Sequence, residues 1–310
     1  MVRNSSLNRI NVFEKGELFM DAAEENLERD LEYQAIIEDI NFVLKKHGIY
    51  ETILRSDVTI TDKSVTDLVT QDGKLSRLIV GSIWPSIESA TVYHYTKTES
   101  AESILNSGVF RLGNIERRYD DDEILTFCET HDLNGYLEVD VNGNPYYRTD
   151  LMPSMFYASF TVTDLTPEQE ETFWQDFAGG NGVRLKIEIQ TTVPNFRKMY
   201  YEERAGEPIP LLSELTSCIS KRYGRNFTLR GISTLCAFYL SGESFGHEQE
   251  LRAFHSSRSG GEVKGEGATS YIELPLVDEY TCGYKLKVVE VHAISRPNMP
   301  DHYAFSKRKA

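Results

Sequence analysis

Between residues 18 and 47 apolar side chains recur mainly at three- and four-residue steps. Leu27, Leu31, Ile36, Ile37, Ile40 and Leu44 form the series, and the period predicts an amphipathic helix. Acidic residues lie early in it, Lys45 and Lys46 lie late, and Gly48 follows, an order that suits the helix dipole and a glycine stop. Residues 49–90 read as short mixed elements ending in the break Trp84-Pro85-Ser86, which puts a boundary near residue 88. Beyond it the period shortens to two. Residues 92–96, VYHYT, are predicted as a strand, TESAESILNSG as a helix stopping at Gly108, and VFRLG as a return to strand. Residues 155–162 read as a strand, 166–178 as a helix with Pro167 at its start, and 183–189 as a strand after Gly-Gly-Asn-Gly. Further strands are predicted at 236–240, 248–254, 270–276 and 284–294, with a glycine-rich loop over 257–270. Strands outnumber helices and do not alternate with them, so the expected class is α+β. A mainly helical extension is expected over 1–88 and a second domain over 89–310.

Composition narrows the partners. The 310 residues are 40% hydrophobic and 26% charged, ordinary globular usage, and the net charge is -15. Such a surface does not bind nucleic acid everywhere, because neutralising phosphates needs clustered Lys and Arg. One basic cluster exists: Lys221, Arg222, Arg225 and Arg230 surround Tyr223 and Phe227 in residues 220–231. Basic groups interleaved with aromatics suit a single-stranded nucleic acid, and equally a surface helix or loop whose aromatics pack inward. Cys128, Cys218, Cys236 and Cys282 form no CxxC pair, and His131, His247, His255 and His292 have no zinc-ligand spacing, so reduced thiols and no metal are expected. No signal peptide or membrane span is legible, which gives a cytoplasmic expectation. Neither a P-loop nor a GxSxG elbow occurs.

The candidate chemistry lies in two strands. If 248–254 is extended, its period of two sends Glu248, Glu250 and Arg252 to one face. Paired carboxylates suit general acid–base work or stabilisation of a cationic sugar, whereas a Glu–Arg pair on an exposed edge contributes little. His94, as a neutral imidazole, can hydrogen-bond a ribose hydroxyl, with Tyr95 or Tyr157 offering a flat face. If His94 faces a cleft, Tyr93 and Tyr95 should point away from it. The charge run Arg117–Glu123 suits contact with a pyrophosphate or a metal, and reads first as a solvated loop and an acidic helix start.

The order of VYHYT, helix and GVFRLG, then YASFTVTD, then FWQDFAGGNGVRLKIEI, then HEQELRAF resembles a poorly characterised bacterial family related to the ADP-ribosyltransferase superfamily. The matching positions are His94, Tyr95 and Thr96; Ser159 and Phe160; Trp174, Phe177, Gly182 and Val183; and Glu248, Glu250 and Arg252. The resemblance covers roughly 92–255, about half the chain. It implies a pair of small sheets around an NAD cleft, with NAD as substrate. His94 would bond the adenosine-side ribose, and Tyr157 or Ser159 would contact the nicotinamide part. Glu250, with Glu248 close behind, would stabilise the oxocarbenium-like transition state. Arg252 would hold a carboxylate or pair with pyrophosphate. The role implied is that of a bacterial toxin or anti-phage effector modifying nucleic acid, RNA ahead of DNA, with residues 1–88 as a docking surface for an antitoxin or regulatory protein. An NAD glycohydrolase, a protein-modifying transferase and a catalytically silent binding module are the alternatives.

Overall fold

The computed structural model describes residues 10–67, 73–117, 122–202, 204, 206–240 and 249–293. Its helices are α1 (Ile10–Lys46), α2 (Lys74–Ile83), α3 (Thr98–Ser107), α4 (Asp122–Thr130), α5 (Pro167–Asp176), α6 (Pro210–Tyr223) and α7 (Ile232–Ala237). The strands of the first half are β1 (Val58–Ile60), β2 (Ser64–Asp67), β3 (Ser89–Thr96), β4 (Val109–Asn114), β5 (Met155–Thr161), β6 (Val183–Thr191) and β7 (Phe196–Lys198). Those of the second are β8 (Tyr200–Tyr201), β9 (Asn226–Thr228), β10 (Tyr239–Leu240), β11 (Glu250–Ser256), β12 (Val263–Lys264), β13 (Tyr271–Pro275) and β14 (Tyr284–Ala293). The class is α+β. No helix among the described residues is long and apolar enough to cross a membrane.

The chain divides into two compact units, and not at one boundary near residue 88. The first comprises the chain up to Ile79 together with His131–Gly135 and Ile209–Arg230; the second comprises Val80–Thr130, Tyr136–Pro208 and the chain from Gly231. The reason is α6. Its buried Leu211, Leu212, Leu215 and Ile219 belong to the same packed unit as Ile36, Ile37, Ile40, Val43 and Leu44 of α1, so a segment far along the chain completes the N-terminal core. Leu27 and Leu31, expected on that apolar face, are 61% and 63% exposed. Nine residues separate Leu31 from Ile40, about two and a half helical turns, which puts them on opposite sides.

In this first unit β1 pairs antiparallel with β2, and β2 parallel with β9. The basic segment 220–231 lies here, largely neutralised. Arg225 donates a two-pronged fork to Glu32 at 2.8 and 2.7 Å and is buried, Arg222 and Tyr223 both bond Asp39 at 2.5 Å, and Phe227 is buried. Hydrogen bonds from Arg225 hold Glu32 below the usual carboxylate range, and those from Lys46 and His47 do the same for Glu214. Of the four cations expected there, Arg222 and Arg225 thus pair with carboxylates of α1.

In the second unit nine strands join in one sheet. Its main path runs β12-β13-β4-β5-β3-β6-β14, while β11 pairs with both β5 and β7. Val183, Leu185, Ile187 and Ile189 alternate inward along β6, giving with Val92, Phe110, Phe160, Leu251 and Ala253 one apolar core. The predicted strand at 236–240 is extended only at Tyr239 and Leu240: Cys236 and Ala237 end α7, and Phe238 follows as its cap. A short apolar run without alternation does not distinguish the two.

The sheet forks at β5. Along one edge β11 pairs with its whole length, from Glu250 opposite Thr161 to Ser256 opposite Met155. On the other edge β4 pairs at Phe156 and Tyr157 and β3 at Thr161, so these two strands diverge beside residues 158–160.

Candidate functional site

The fork determines where the candidate residues meet. Backbone groups of 158–160 face the gap between β3 and β4, and buried backbone groups require partners. His94 supplies one: its Nδ1–H donates to the Ser159 carbonyl at 3.0 Å. A carbonyl only accepts, so this bond puts a proton on Nδ1. The ring is wedged against Phe110 at 5.0 Å and Phe160 at 5.7 Å.

Glu250 reaches the fork from the opposite edge of β5. It is buried, and its carboxylate is gripped by Arg252, with Nε to Oε1 at 2.9 Å and Nη2 to Oε2 at 3.2 Å. Arg252 is only 2% exposed; it also donates to the Ala237 carbonyl and lies 4.3 Å above the Tyr157 ring. The Glu250 amide donates to the Tyr201 hydroxyl at 2.8 Å. Glu250 is thus fixed from both backbone and side chain. Arg252 lines neither cavity described below, so the expectation that it could pair with a pyrophosphate is corrected: its guanidinium is consumed in holding Glu250.

A cavity of about 500 Å³ opens at the fork, lined by His94, Thr96, Ser159, Thr161 and Glu250, and also by Tyr93 and Phe177. A second, of about 550 Å³, lies on the β4 side against Tyr157, Arg111 and Tyr271. His94, Thr96, Ser100 and Arg117 line both. Volumes of this size suit small-molecule ligands.

Most sequence-predicted residues come together here, with instructive exceptions. Cross-strand register puts Tyr93, Thr161 and Glu250 in one row on one face, whereas His94 belongs to the other. Tyr93 and Tyr95 nevertheless line the cavity with His94, so the expectation that they point away is corrected: the cavity opens at a fork, where both faces of β3 are reached. Tyr95 is buried against Phe173 and Trp174, with the ring of Trp174 edge-on at 5.1 Å. Its phenol is pushed up by burial, an effect the Arg184 guanidinium opposes. Glu248 lies outside the described residues, and Gln249 has φ 44° immediately before β11. That left-handed residue interrupts the extended chain, so the alternation of β11 does not carry a face assignment back to position 248. Tyr93 and Thr161 carry no local motif that marks them; only strand register brings them in.

Gly182 tightens the β3 end of the site. A Cβ there would run into the Thr96 carbonyl oxygen and stand 2.7 Å from that of Ala178, both backbone atoms. Gly182→Ala is expected to cost about 1–3 kcal/mol by forcing β3 and the α5–β6 turn apart. Denaturant unfolding checks this, and a loss below about 0.5 kcal/mol, typical of surface changes, would refute the close approach.

No family model, curated protein or solved structure matches the chain.

Proposed function

We propose that the second unit is an NAD-dependent ADP-ribosyltransferase, with the dinucleotide held at the forked sheet. The observation that carries this reading is the convergence of His94, from β3, and Glu250, from β11, on one cavity that shares His94, Thr96, Ser100 and Arg117 with a second. Two adjoining spaces suit a ligand with two nucleoside halves, and Arg117 stands where a pyrophosphate would bridge them.

The residues divide the work as follows. His94 Nε2 accepts a hydrogen bond from a ribose hydroxyl in the tautomer set by the Ser159 carbonyl. The bond between the nicotinamide nitrogen and ribose C1′ breaks with both electrons going to nitrogen, so nicotinamide leaves neutral and positive charge develops on the sugar. Glu250 provides fixed negative charge at that point. Each carboxylate oxygen has two lone pairs and Arg252 occupies one, which leaves the group oriented and able to act. An acceptor nucleophile then bonds to C1′ and loses its proton. Within this reading the fold is of the ADP-ribosyltransferase kind.

The test is incubation with NAD labelled in the adenylate part, together with RNA, DNA and protein from cells, following both released nicotinamide and retained label. Nicotinamide release with label on one acceptor class is expected. Free ADP-ribose as sole product would identify water as the acceptor and make the protein a glycohydrolase. No nicotinamide release from protein that binds a carbocyclic NAD analogue would remove the catalytic reading and leave a binding module. With Arg222 and Arg225 neutralised, nucleic acid has no privileged place among the acceptors tested.

A further inference from the structure

A second buried arginine stands beside Arg252. Cross-strand register places Arg197 of β7 directly opposite Arg252 of β11, with Ser159 of β5 opposite Arg252 on its other side. Residues directly opposite share a face, so Ser159, Arg252 and Arg197 form one row next to the row that holds Glu250. Arg197 is only 4% exposed. Its Nη1 donates to the Trp84 carbonyl and its Cζ lies 6.0 Å from the centre of the Phe238 ring, while its Nε has no hydrogen-bond partner. No carboxylate among the described residues pairs with it. Burial pulls its pKa down to about 10, so the group is still a cation at neutral pH.

The arrangement is unfavourable for folding alone. Like charges directly opposite on paired strands repel, and a buried charge is normally paired. Here two guanidinium groups stand beside one carboxylate, and it is Arg252 that grips it. The Trp84 carbonyl would be served equally by a neutral donor, so it explains a polar side chain at 197 and not a charged one. What the charge does is bear on its neighbour. Arg252 has an attracting carboxylate along its own strand and a repelling cation across the ladder. Rotamers that carry its guanidinium towards β7 are disfavoured, and the one directed at Glu250 is favoured.

We propose that Arg197 is a positioning residue, whose charge confines the Arg252 fork to Glu250 and thereby fixes the carboxylate in the orientation that bond breaking uses. This rests on the reading of the site given above. Arg197 lines neither cavity, so its effect falls on the rate of nicotinamide release and not on the binding of the dinucleotide.

The experiment compares wild type with Arg197→Gln and Arg197→Lys, each alone and combined with Glu250→Gln. Both replacements carry an N–H donor for the Trp84 carbonyl, and only lysine keeps the charge. Nicotinamide release is followed at saturating NAD, and affinity for a carbocyclic NAD analogue is measured by calorimetry. Arg197→Gln is expected to lower kcat about 10- to 100-fold, the scale of a slightly displaced catalytic group, with analogue affinity unchanged. Arg197→Lys should recover most of that rate. In the Glu250→Gln background, Arg197→Gln should lower the residual rate no further, because the group it positions is already lost. An unchanged kcat in Arg197→Gln, equal rates in the glutamine and lysine variants, a matching loss of analogue affinity, or a full additional loss in the Glu250→Gln background would each overturn the positioning role while leaving the NAD site standing. If wild type releases no nicotinamide, the NAD reading itself fails and takes the positioning role with it.

Discussion

Glu250→Gln is expected to lower the rate of nicotinamide release about 10²- to 10³-fold, the usual consequence of removing one preorganised group aimed at developing charge. Glutamine keeps the shape and one carbonyl oxygen for Arg252, but its NH₂ would meet the second guanidinium prong where a carboxylate oxygen now accepts at 2.9 or 3.2 Å. Affinity for a carbocyclic NAD analogue should therefore fall far less than kcat. Separate measurement of the two distinguishes the roles. If the variant turns over at the wild-type rate, Glu250 is merely the counter-ion of Arg252 and the chemistry lies elsewhere.

Arg252→Met should produce the largest loss of stability, about 3–5 kcal/mol, because it leaves a buried carboxylate without its cation. Methionine preserves much of the volume, so the loss reports electrostatics and hydrogen bonding more than a cavity. Three partners are abandoned together: Glu250, the Ala237 carbonyl and the Tyr157 ring. Urea unfolding would measure the change. Adding Glu250→Gln to Arg252→Met should recover part of the loss, since the unpaired charge is then removed, and the two changes should be strongly non-additive. Simple additivity would mean that the pair, buried as it is, does not act as a unit.

Much of the architecture is legible from local pattern. Alternation along 183–189 predicts β6, Pro167 marks the start of α5, and Gly108, in the left-handed region at φ 64°, ends α3. Each is decided by residues within one turn or one strand, where sterics and capping act directly. The residues of the site were also nameable in part: His94, Thr96, Ser159 and Glu250 all line the fork cavity.

The failures have a common cause. Period-two reasoning puts His94 and the pair Tyr93 and Tyr95 on opposite faces of β3, yet all three line the cavity because β3 and β5 part at Thr161, and a strand does not encode where its neighbour departs. Arg252 could be read as a pyrophosphate ligand or as a partner for Glu250; only its burial decides for the second. The basic cluster at 220–231 resembles a phosphate site until Asp39 and Glu32, 183 and 193 residues before Arg222 and Arg225, are brought against it. Sequence alone determined the α+β class and most element positions, because those follow from neighbouring residues. Tertiary structure decided the fork, the fate of each charge and the membership of the cavity, because desolvation and strand pairing depend on groups that are remote along the chain.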